Sequence, residues 1–419
     1  MGWQWALAEA WLVLRFYWRR TSIAAMSLAW GVCCFVVLMA YGDGFERALI
    51  KAFTAVGQHL VVMYGGQTSQ QAGGLRAGRR IRLEFEDAQL IKETVPLVGA
   101  VSPERLVGGV KIARGTYEGE TTIRAVWPEY QRIRNLHIAE GRWISPTDDA
   151  QQLRVVVLGA EVAEKVFRGA PALGQVVRLN KVSFTVIGVL QKKLQIANYN
   201  RRDNDCVFIP YQTARAFTDV GYPTFIVWQP AYPGALEPAI RAVRAKLAEA
   251  HKFSPMDTRA VEILPFDQFM QLVTGMVLAL RLLLLLVGGL TLTIGGVALA
   301  HMMLATVLHR TREIGTLKAL GARAGDIMRQ LILEALAIVG IGGAVGLMLA
   351  ASAVYAIGSL PFLGPVFEDQ SGLGDIYLHL SPKAVLTSVA LLGFVGLVAA
   401  IVPAFRAARL DPIESLRYE

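Results

Sequence analysis

The stretch LLLLLVGGLTLTIGGVALAHMMLA, residues 282–305, contains no Lys, Arg, Asp or Glu. A helix needs about 20 consecutive apolar residues to cross the hydrocarbon core of a bilayer. This run is therefore predicted to be a membrane span, whose start could lie as early as Val273.

Three further runs have the same character: Thr21 to Tyr41, Leu331 to Leu360 and Lys383 to Phe405. The chain of 419 residues is 54% hydrophobic with a mean hydropathy of +0.42, which is too apolar for an ordinary soluble protein of this length. Buried core helices of a large soluble protein are the alternative interpretation, and four such runs disfavour it.

Lys and Arg cluster in three segments beside the spans, and basic residues in short loops stay on the cytoplasmic side. They are Arg15, Arg19 and Arg20 in the first segment, Arg310, Arg312, Lys318, Arg323 and Arg329 in the second, and Arg406, Arg409 and Arg417 in the third. The segment Pro361 to Pro382 has acidic residues but no Lys or Arg. Both termini are therefore predicted to be cytoplasmic, with Gly42 to Gln271 on the outside.

The predicted layout follows from these spans and charges. It is a cytoplasmic interfacial helix at 1–20, spans at 21–45, 271–308, 331–360 and 383–405, an extracytoplasmic domain at 46–270, a cytoplasmic loop at 309–330, a periplasmic loop at 361–382 and a cytoplasmic tail at 406–419. The aromatic N-terminus either lies along the membrane surface or packs against the spans. A cleaved signal peptide is not expected, because Glu9 and Arg15 interrupt the first residues.

The extracytoplasmic segment alternates short apolar runs with turn residues and two charged helical stretches, which indicates an α+β domain. Strands are predicted near His59 to Tyr64, Val98 to Ser102 and Val107 to Ala113, and the region 121–211 reads as a β-rich insertion. The fold class is thus an α-helical membrane protein with four transmembrane helices plus a large α+β extracytoplasmic domain inserted between spans 1 and 2.

No enzyme motif is apparent in this domain. The histidines lack metal-ligand spacing, and a Gly-x-Ser-x-Gly elbow is absent. The Gly73 to Gly78 stretch lacks the Gly-Lys-Ser/Thr ending of a phosphate-binding loop. No catalytic residue, metal site or bound cofactor is predicted for this chain. The net charge of +9 is partly explained by the cytoplasmic loops, so nucleic-acid binding is not needed to account for it.

Residues 309–323 read HRTREIGTLKALGAR, and we call residues 310–320 the loop segment. Ile314, Leu317 and Leu320 have the spacing of one helix face, with charges around them. An amphipathic helix and a solvated loop are both consistent with this pattern.

Two ionisable residues fall near span ends, where a charge is costly unless it faces water or protein. Arg281 is predicted to extend its side chain to the membrane interface. Glu334 is predicted to pair with a basic residue of the preceding loop, such as Arg323 or Arg329, rather than to relay protons. Glycines recur in spans two and three and are predicted to lie at helix contacts.

The chain resembles the MacB/FtsX-like ABC permeases, which include macrolide-export, lipoprotein-releasing and cell-division members. The resemblance rests on Arg310 to Ala322, Glu334, the Gly340 to Gly346 cluster and the tail from Pro403 to Glu419. Trp127 to Tyr130 and Glu140 to Trp143, with neighbouring stretches of the extracytoplasmic domain, resemble the family as well. This resemblance implies that the chain is a permease of the bacterial inner membrane.

The resemblance implies a coupling helix that docks on an ATP-binding subunit. Its residues here are Arg310, Thr311, Arg312, Glu313, Ile314, Gly315, Leu317, Lys318 and Leu320. The implied partners are a separate ABC ATP-binding subunit, which carries ATP and Mg, and a second permease copy, identical or paralogous. A periplasmic membrane-fusion protein and an outer-membrane channel are further candidates.

Two functions are compatible with the resemblance. One is export or extrusion of a substrate, in which ATP hydrolysis moves the periplasmic domain by mechanotransmission. The alternative is a signal-transmitting scaffold that activates a periplasmic cell-wall hydrolase. The large extracytoplasmic domain favours export, and the substrate stays open.

Overall fold

The computed structural model describes residues 18–57, 59–195, 199–363, 372 and 374–410, with side chains from residue 21 onward. Within these residues four helices are long and apolar enough to cross a membrane. They are α1 (Trp18–Thr54), α7 (Asp267–His309), α9 (Ala324–Ile357) and α10 (Pro382–Ala408). Most of the predicted helix at 1–20, the tail after 410 and much of the periplasmic loop lie outside the described residues.

The chain divides into two compact units. One is formed by residues up to Ala48 and from Thr274 onward, and the other is Leu49–Val273, which we call the inserted domain. The predicted fold class is confirmed: four long apolar helices, with a domain of mixed sheet and helix between the first two.

The described residues of the inserted domain form ten strands, five α-helices and three short 3-10 helices, the last at Asp203–Asp205, Gln212–Ala216 and Pro233–Ala235. The strands are β1 (Val61–Gly65), β2 (Val98–Arg114), β3 (Tyr117–Val126), β4 (Ile138–Gly141), β5 (Val155–Leu158), β6 (Val176–Leu179), β7 (Val182–Leu190), β8 (Cys206–Pro210), β9 (Phe225–Pro230) and β10 (Val261–Pro265). The helices are α2 (Phe85–Thr94), α3 (Tyr130–Ile133), α4 (Pro146–Ala150), α5 (Ala160–Phe167) and α6 (Leu236–His251).

All ten strands belong to one sheet, in the order β10-β1-β9-β2-β3-β8-β5-β7-β4. The remaining strand, β6, pairs with both β2 and β7. This double pairing closes β2, β3, β8, β5, β7 and β6 into a barrel, which removes their free edges. The region predicted as a β-rich insertion therefore shares β2 and β3 with the rest of the sheet.

The alternation of β7 explains how the barrel core forms. Phe184, Val186 and Leu190 are buried while Ser183 and Thr185 are exposed, as expected for a strand with one face on a core. The two extended pieces predicted at Val98 to Ser102 and Val107 to Ala113 are one strand, because the ladder continues past a bulge between Val107 and Val110. Gly109 has a φ of 67° there, a conformation that glycine adopts at low cost.

In the unit formed by residues up to Ala48 and from Thr274 onward, helices approach each other closely at glycine residues. A Cβ on Gly342 would lie 2.9 Å from the carbonyl oxygen of Ala25, and one on Gly346 would lie 2.6 Å from that of Ala29. The two pairs are each four residues apart, so α9 and α1 meet along small residues. The predicted contact role of glycine is confirmed at these positions but is wrong for Gly289 and Gly340, where nothing lies within 4 Å.

Candidate functional site

The loop segment forms a short helix, α8 (Thr311–Ala319), between α7 and α9. The amphipathic-helix interpretation is thereby confirmed over the solvated loop. Ile314 and Gly315 are buried, Leu317 is half-buried, and Arg312 and Thr316 are exposed. Leu320 does not share the face of Ile314 as the spacing predicted, because the helix ends at Ala319 and leaves Leu320 81% exposed.

The N-terminal end of α8 is attached to α9 by a buried ion pair. Arg310 Nη1 donates to Glu334 Oε1 at 3.1 Å, and the two side chains are only 10% and 3% exposed. Arg310 Nε also donates to Glu313 Oε2 at 2.9 Å. The prediction that Glu334 pairs with a basic residue of the loop is thus confirmed, although the partner is not one of the two residues given as examples. The partner found is Arg310, while Arg323 and Arg329 are exposed.

The C-terminal end of α8 is attached to α10. Lys318 Nζ donates to the carbonyl oxygens of Ala408 and Leu410, both at 2.7 Å. These oxygens lie at the C-terminal end of α10, where carbonyl groups lack helical partners and a cation is favourable. Thr311 donates within α7, to the oxygen of Leu308 at 2.8 Å.

Three of the four charges predicted to surround the docking face therefore bond inside the molecule. Arg310, Glu313 and Lys318 hold α8 in place, and only Arg312 points outward without a hydrogen bond to any described residue. The outward face of the loop segment is Arg312, Thr316 and Leu320, at intervals of four residues. Sequence reasoning singled out Arg312 and Leu320 but not Thr316, and it could not show which charges of the loop segment bond inside the molecule.

Arg281 lies near the start of the apolar run in α7, and its Nη1 is 3.9 Å from Glu46 Oε2 on α1. Both side chains are partly exposed, at 47% and 36%. An exposed pair at this distance contributes about 0–1 kcal/mol. The extension of Arg281 to the membrane interface stays a prediction.

A buried charged cluster, which the sequence reading missed, occupies the inserted domain. Its members are Glu104, Arg124, Tyr130, Arg134, Lys193, Tyr199 and Asp203. Arg124 Nη1 donates to Glu104 Oε1 at 2.9 Å, and Arg134 Nη2 donates to both oxygens of Asp203 at 2.8 and 3.0 Å. The signal that could have found it is Arg124 itself, a charge inside the otherwise apolar end of a strand.

The cluster shifts the pKa of its members. The carboxyl of Asp203 is fully buried, which alone would raise its pKa, but Arg134, Lys193 and Arg124 hold the pKa well below its usual range. Burial lowers the pKa of Lys193 to about 8, and the nearby arginines act in the same direction against the attraction of Asp203. Breaking one pair in such a cluster costs several kcal/mol, because a charge is left buried without a partner.

No catalytic constellation accompanies these charges. Within the described residues no group of three or more His, Cys, Asp or Glu side chains is placed to hold a metal ion. The cluster residues bond one another and backbone oxygens, as residues that fix a fold do.

The fold defines a class of protein: a membrane protein with four long apolar helices in the described part of the chain and a large folded domain after the first of them. Two family models match the chain, the MacB-like periplasmic core domain over residues 21–246 and the FtsX-like permease C-terminal model over residues 285–412. The chain belongs to this MacB/FtsX family of ABC-type permeases, as the resemblance implied, and the inserted domain is periplasmic.

Curated relatives are longer than this chain. The macrolide export ATP-binding/permease protein MacB of Rhodospirillum rubrum is 29% identical over 403 residues, which cover 96% of this chain and 58% of that protein. The pyoverdine export ATP-binding/permease protein PvdT of Pseudomonas aeruginosa is 28% identical, with coverage of 98% and 58%. The chain thus matches the permease part of proteins that also carry an ATP-binding part.

Among solved structures, the periplasmic region of MacB from Actinobacillus actinomycetemcomitans is similar with a TM-score of 0.43 and 20% identity. The match covers 54% of this chain and 97% of that one.

Proposed function

We propose that this chain is the membrane subunit of an ABC-type exporter in which a separate subunit hydrolyses ATP and docks on the loop segment. The observation that carries the proposal is the attachment of α8 at both ends. Arg310 joins it to α9 and Lys318 joins it to α10, so a push on α8 moves two spans together. A helix fixed in this way suits rigid-body transfer of motion.

The outward face of the loop segment has the chemistry of a docking surface. Arg312 offers a guanidinium that has no hydrogen bond to any described residue, and Leu320, two helical turns further along, is an apolar side chain that is 81% exposed. An apolar side chain surrounded by polar residues is typical of interface anchors. With the positive charges around it, this face belongs on the cytoplasmic side, where ATP is available.

The route from the loop segment to the periplasmic domain is α7. This helix has 43 residues and is about 65 Å long at 1.5 Å per residue. It ends at His309, next to Arg310, and begins at Asp267, two residues after β10. A displacement at the loop segment therefore reaches the sheet through one uninterrupted helix, which is the basis of the proposed mechanotransmission.

A second permease copy would cover an apolar seam on α7. Phe269, Leu272 and Met276 are 49%, 68% and 65% exposed, and they precede Arg281, where the apolar run of the span starts. The spacing of three and then four residues continues through Ala279, Leu283 and Leu286, and such a heptad pattern is typical of paired helices. Apolar side chains within the span face lipid at no cost, so the heptad spacing, rather than the exposure of these residues, supports a second copy.

The names of the relatives support a substrate class without identifying the substrate. They specify export of a macrolide and of pyoverdine and, for a relative from Pseudomonas syringae pv. tomato, probable export of syringafactin. We propose an extracytoplasmic or membrane-associated substrate for this chain, moved by the periplasmic domain without crossing the inner membrane through it.

The test is recovery of the ATP-binding subunit with the tagged full-length chain from gently solubilised membranes. Arg312→Glu combined with Leu320→Glu is expected to lower the recovered ATPase at least tenfold. Glu313 is left intact, because it holds Arg310. The matched control is Arg178→Glu combined with Leu173→Glu, two exposed positions of the inserted domain, which should change nothing. Equal ATPase recovery in both variants would exclude the proposed docking face.

A further inference from the structure

A second feature of the inserted domain is a cavity of about 190 Å³ between the end of α1, the loop after α3 and the loop after β7. We call it the basic cavity. Its charged lining is Lys51, Lys192, Lys193 and Asp203, with His137 at the opening. A buried water needs about 10–15 Å³ of such space, so the cavity has room for a multi-atom group.

Hydrogen-bond donors outnumber acceptors in the basic cavity. The Lys51 ammonium, the Asn135 amide and the His137 ring have no side-chain hydrogen bond to any described residue. The one carboxylate, Asp203, already accepts from Arg134 and Lys193. A ligand here therefore meets free donors and few free acceptors.

Positive charge also exceeds negative charge beneath the cavity. The charged cluster contains Arg124, Arg134 and Lys193 against Glu104 and Asp203. In addition, Nε and Nη1 of the fully buried Arg134 have no hydrogen-bond partner among the residues that the structure describes. A buried surplus charge is unfavourable unless an opposite charge approaches it.

The carbonyl oxygens at the C-terminal end of α1 would repel an anion, but a lysine already bonds to them here. The carbonyl oxygen of Ala55, just after α1, accepts from Lys193 Nζ at 2.9 Å, and so does that of Arg134 at 3.0 Å. Lys193 thus neutralises the negative ends of two helices and leaves the outer donors to a ligand.

We propose that the basic cavity binds a phosphate group, with Lys51 and His137 as its outer contacts and Lys192 beside them. Donors from the end of α1 and from the loop after α3 line one space, which suits a tetrahedral oxyanion with several acceptor oxygens. The group can belong to a soluble phosphate-bearing ligand or to the head group of an anionic phospholipid. This site is independent of the proposed ATPase docking.

The experiment measures thermal unfolding of the full-length chain in detergent, by tryptophan fluorescence, against inorganic phosphate with chloride at the same ionic strength. Native mass spectrometry of the same samples measures retained phosphatidylglycerol. The test variant is Lys51→Gln combined with His137→Gln, two exposed side chains, and the control is Lys181→Gln on the exposed turn between β6 and β7.

Phosphate-specific stabilisation, at least tenfold weaker in the double variant and unchanged in the control, supports a soluble ligand. Phosphatidylglycerol retained by the wild type and the control but lost from the double variant supports a lipid head group. The proposal is overturned if the wild type shows neither effect, or if the double variant shows the same effect as the wild type. If the double variant does not fold, acylation of wild-type Lys51 is measured instead. Phosphate is expected to slow the acylation of Lys51 and to leave the acylation of Lys181 unchanged. Equal rates of Lys51 acylation in phosphate and in chloride overturn the proposal.

Discussion

The pair Arg310–Glu334 makes a quantitative prediction about the loop segment. Glu334→Gln removes the carboxylate charge and leaves Arg310, only 10% exposed, with Glu313 as its remaining anion. Breaking a fully buried ion pair costs about 3–5 kcal/mol. Glu313 is 66% exposed and compensates in part, so we expect a loss of about 2 kcal/mol in the free energy of unfolding.

The double variant separates the ion pair from simple side-chain loss. Arg310→Met with Glu334→Leu removes both charges and replaces them with apolar side chains, which is often nearly neutral for a buried pair. The single variants of this cycle, Arg310→Met and Glu334→Leu, each leave one charge of the pair without its partner and should each lose at least about 1.5 kcal/mol. We expect the double variant to lie within about 1 kcal/mol of the wild type, so that the two sites couple by at least about 2 kcal/mol.

The assay is unfolding of the full-length chain in mixed micelles as the denaturing detergent is increased. Arg312→Met is the control, since its side chain is exposed, and its effect should stay within about 0.5 kcal/mol. A double variant that loses the sum of the two single losses would refute the idea that Arg310 and Glu334 act as a unit.

Three further predictions concern packing, the charged cluster and pH. Gly346→Ala places a Cβ 2.6 Å from the Ala29 oxygen and should cost about 1–3 kcal/mol of stability in the same assay. Gly340→Ala is the control and should be neutral, because nothing lies within 4 Å of its Cβ. Equal losses of stability in the two variants would contradict the packing of α9 on α1. Glu104→Gln removes the nearer carboxylate of the buried Arg124, at 2.9 Å, and leaves it only Asp203 at 3.5 Å. This change should cost about 3 kcal/mol in thermal unfolding of the full chain, while Glu118→Gln on the exposed end of the same hairpin should cost nothing measurable. The hydrogen bond to Asp87 raises the pKa of His251. The stability that protonated His251 contributes is therefore complete below the ordinary pKa of 6.5 and is lost as pH rises through the raised pKa. The difference in melting temperature between wild type and His251→Gln should shrink from pH 6 to pH 9, and a difference that grows with pH would contradict this pH dependence.

The spans were predictable because length and apolar composition are properties of a continuous stretch of chain. The run at 282–305 identified α7, although the helix extends to Asp267 and His309. Its ends carry Gln, Thr and His, which a bilayer-length window does not include. Helix continuation beyond the bilayer depends on packing and on the absence of a breaker, and neither is visible in hydropathy.

The roles of individual charges were not predictable in the same way. Lys318 looks like a docking charge next to Arg312, but its acceptors are 90 and 92 residues away in the chain. The barrel closure through β2 and β6 depends on two residue pairs that no local pattern specifies. Contacts between distant segments follow from the assembled fold, so a single sequence indicates which residues are charged and not which charges are free.

The central claim is that Leu320 and its neighbours face an ATP-binding subunit, and site-specific photocrosslinking in native membranes tests it most directly. A photoreactive residue at position 320 or 316 should capture a protein with ATP-binding motifs, whereas the same residue at the buried position 314 should not. Capture of no ATP-binding protein from 320 and 316, with the chain correctly inserted, would contradict the account.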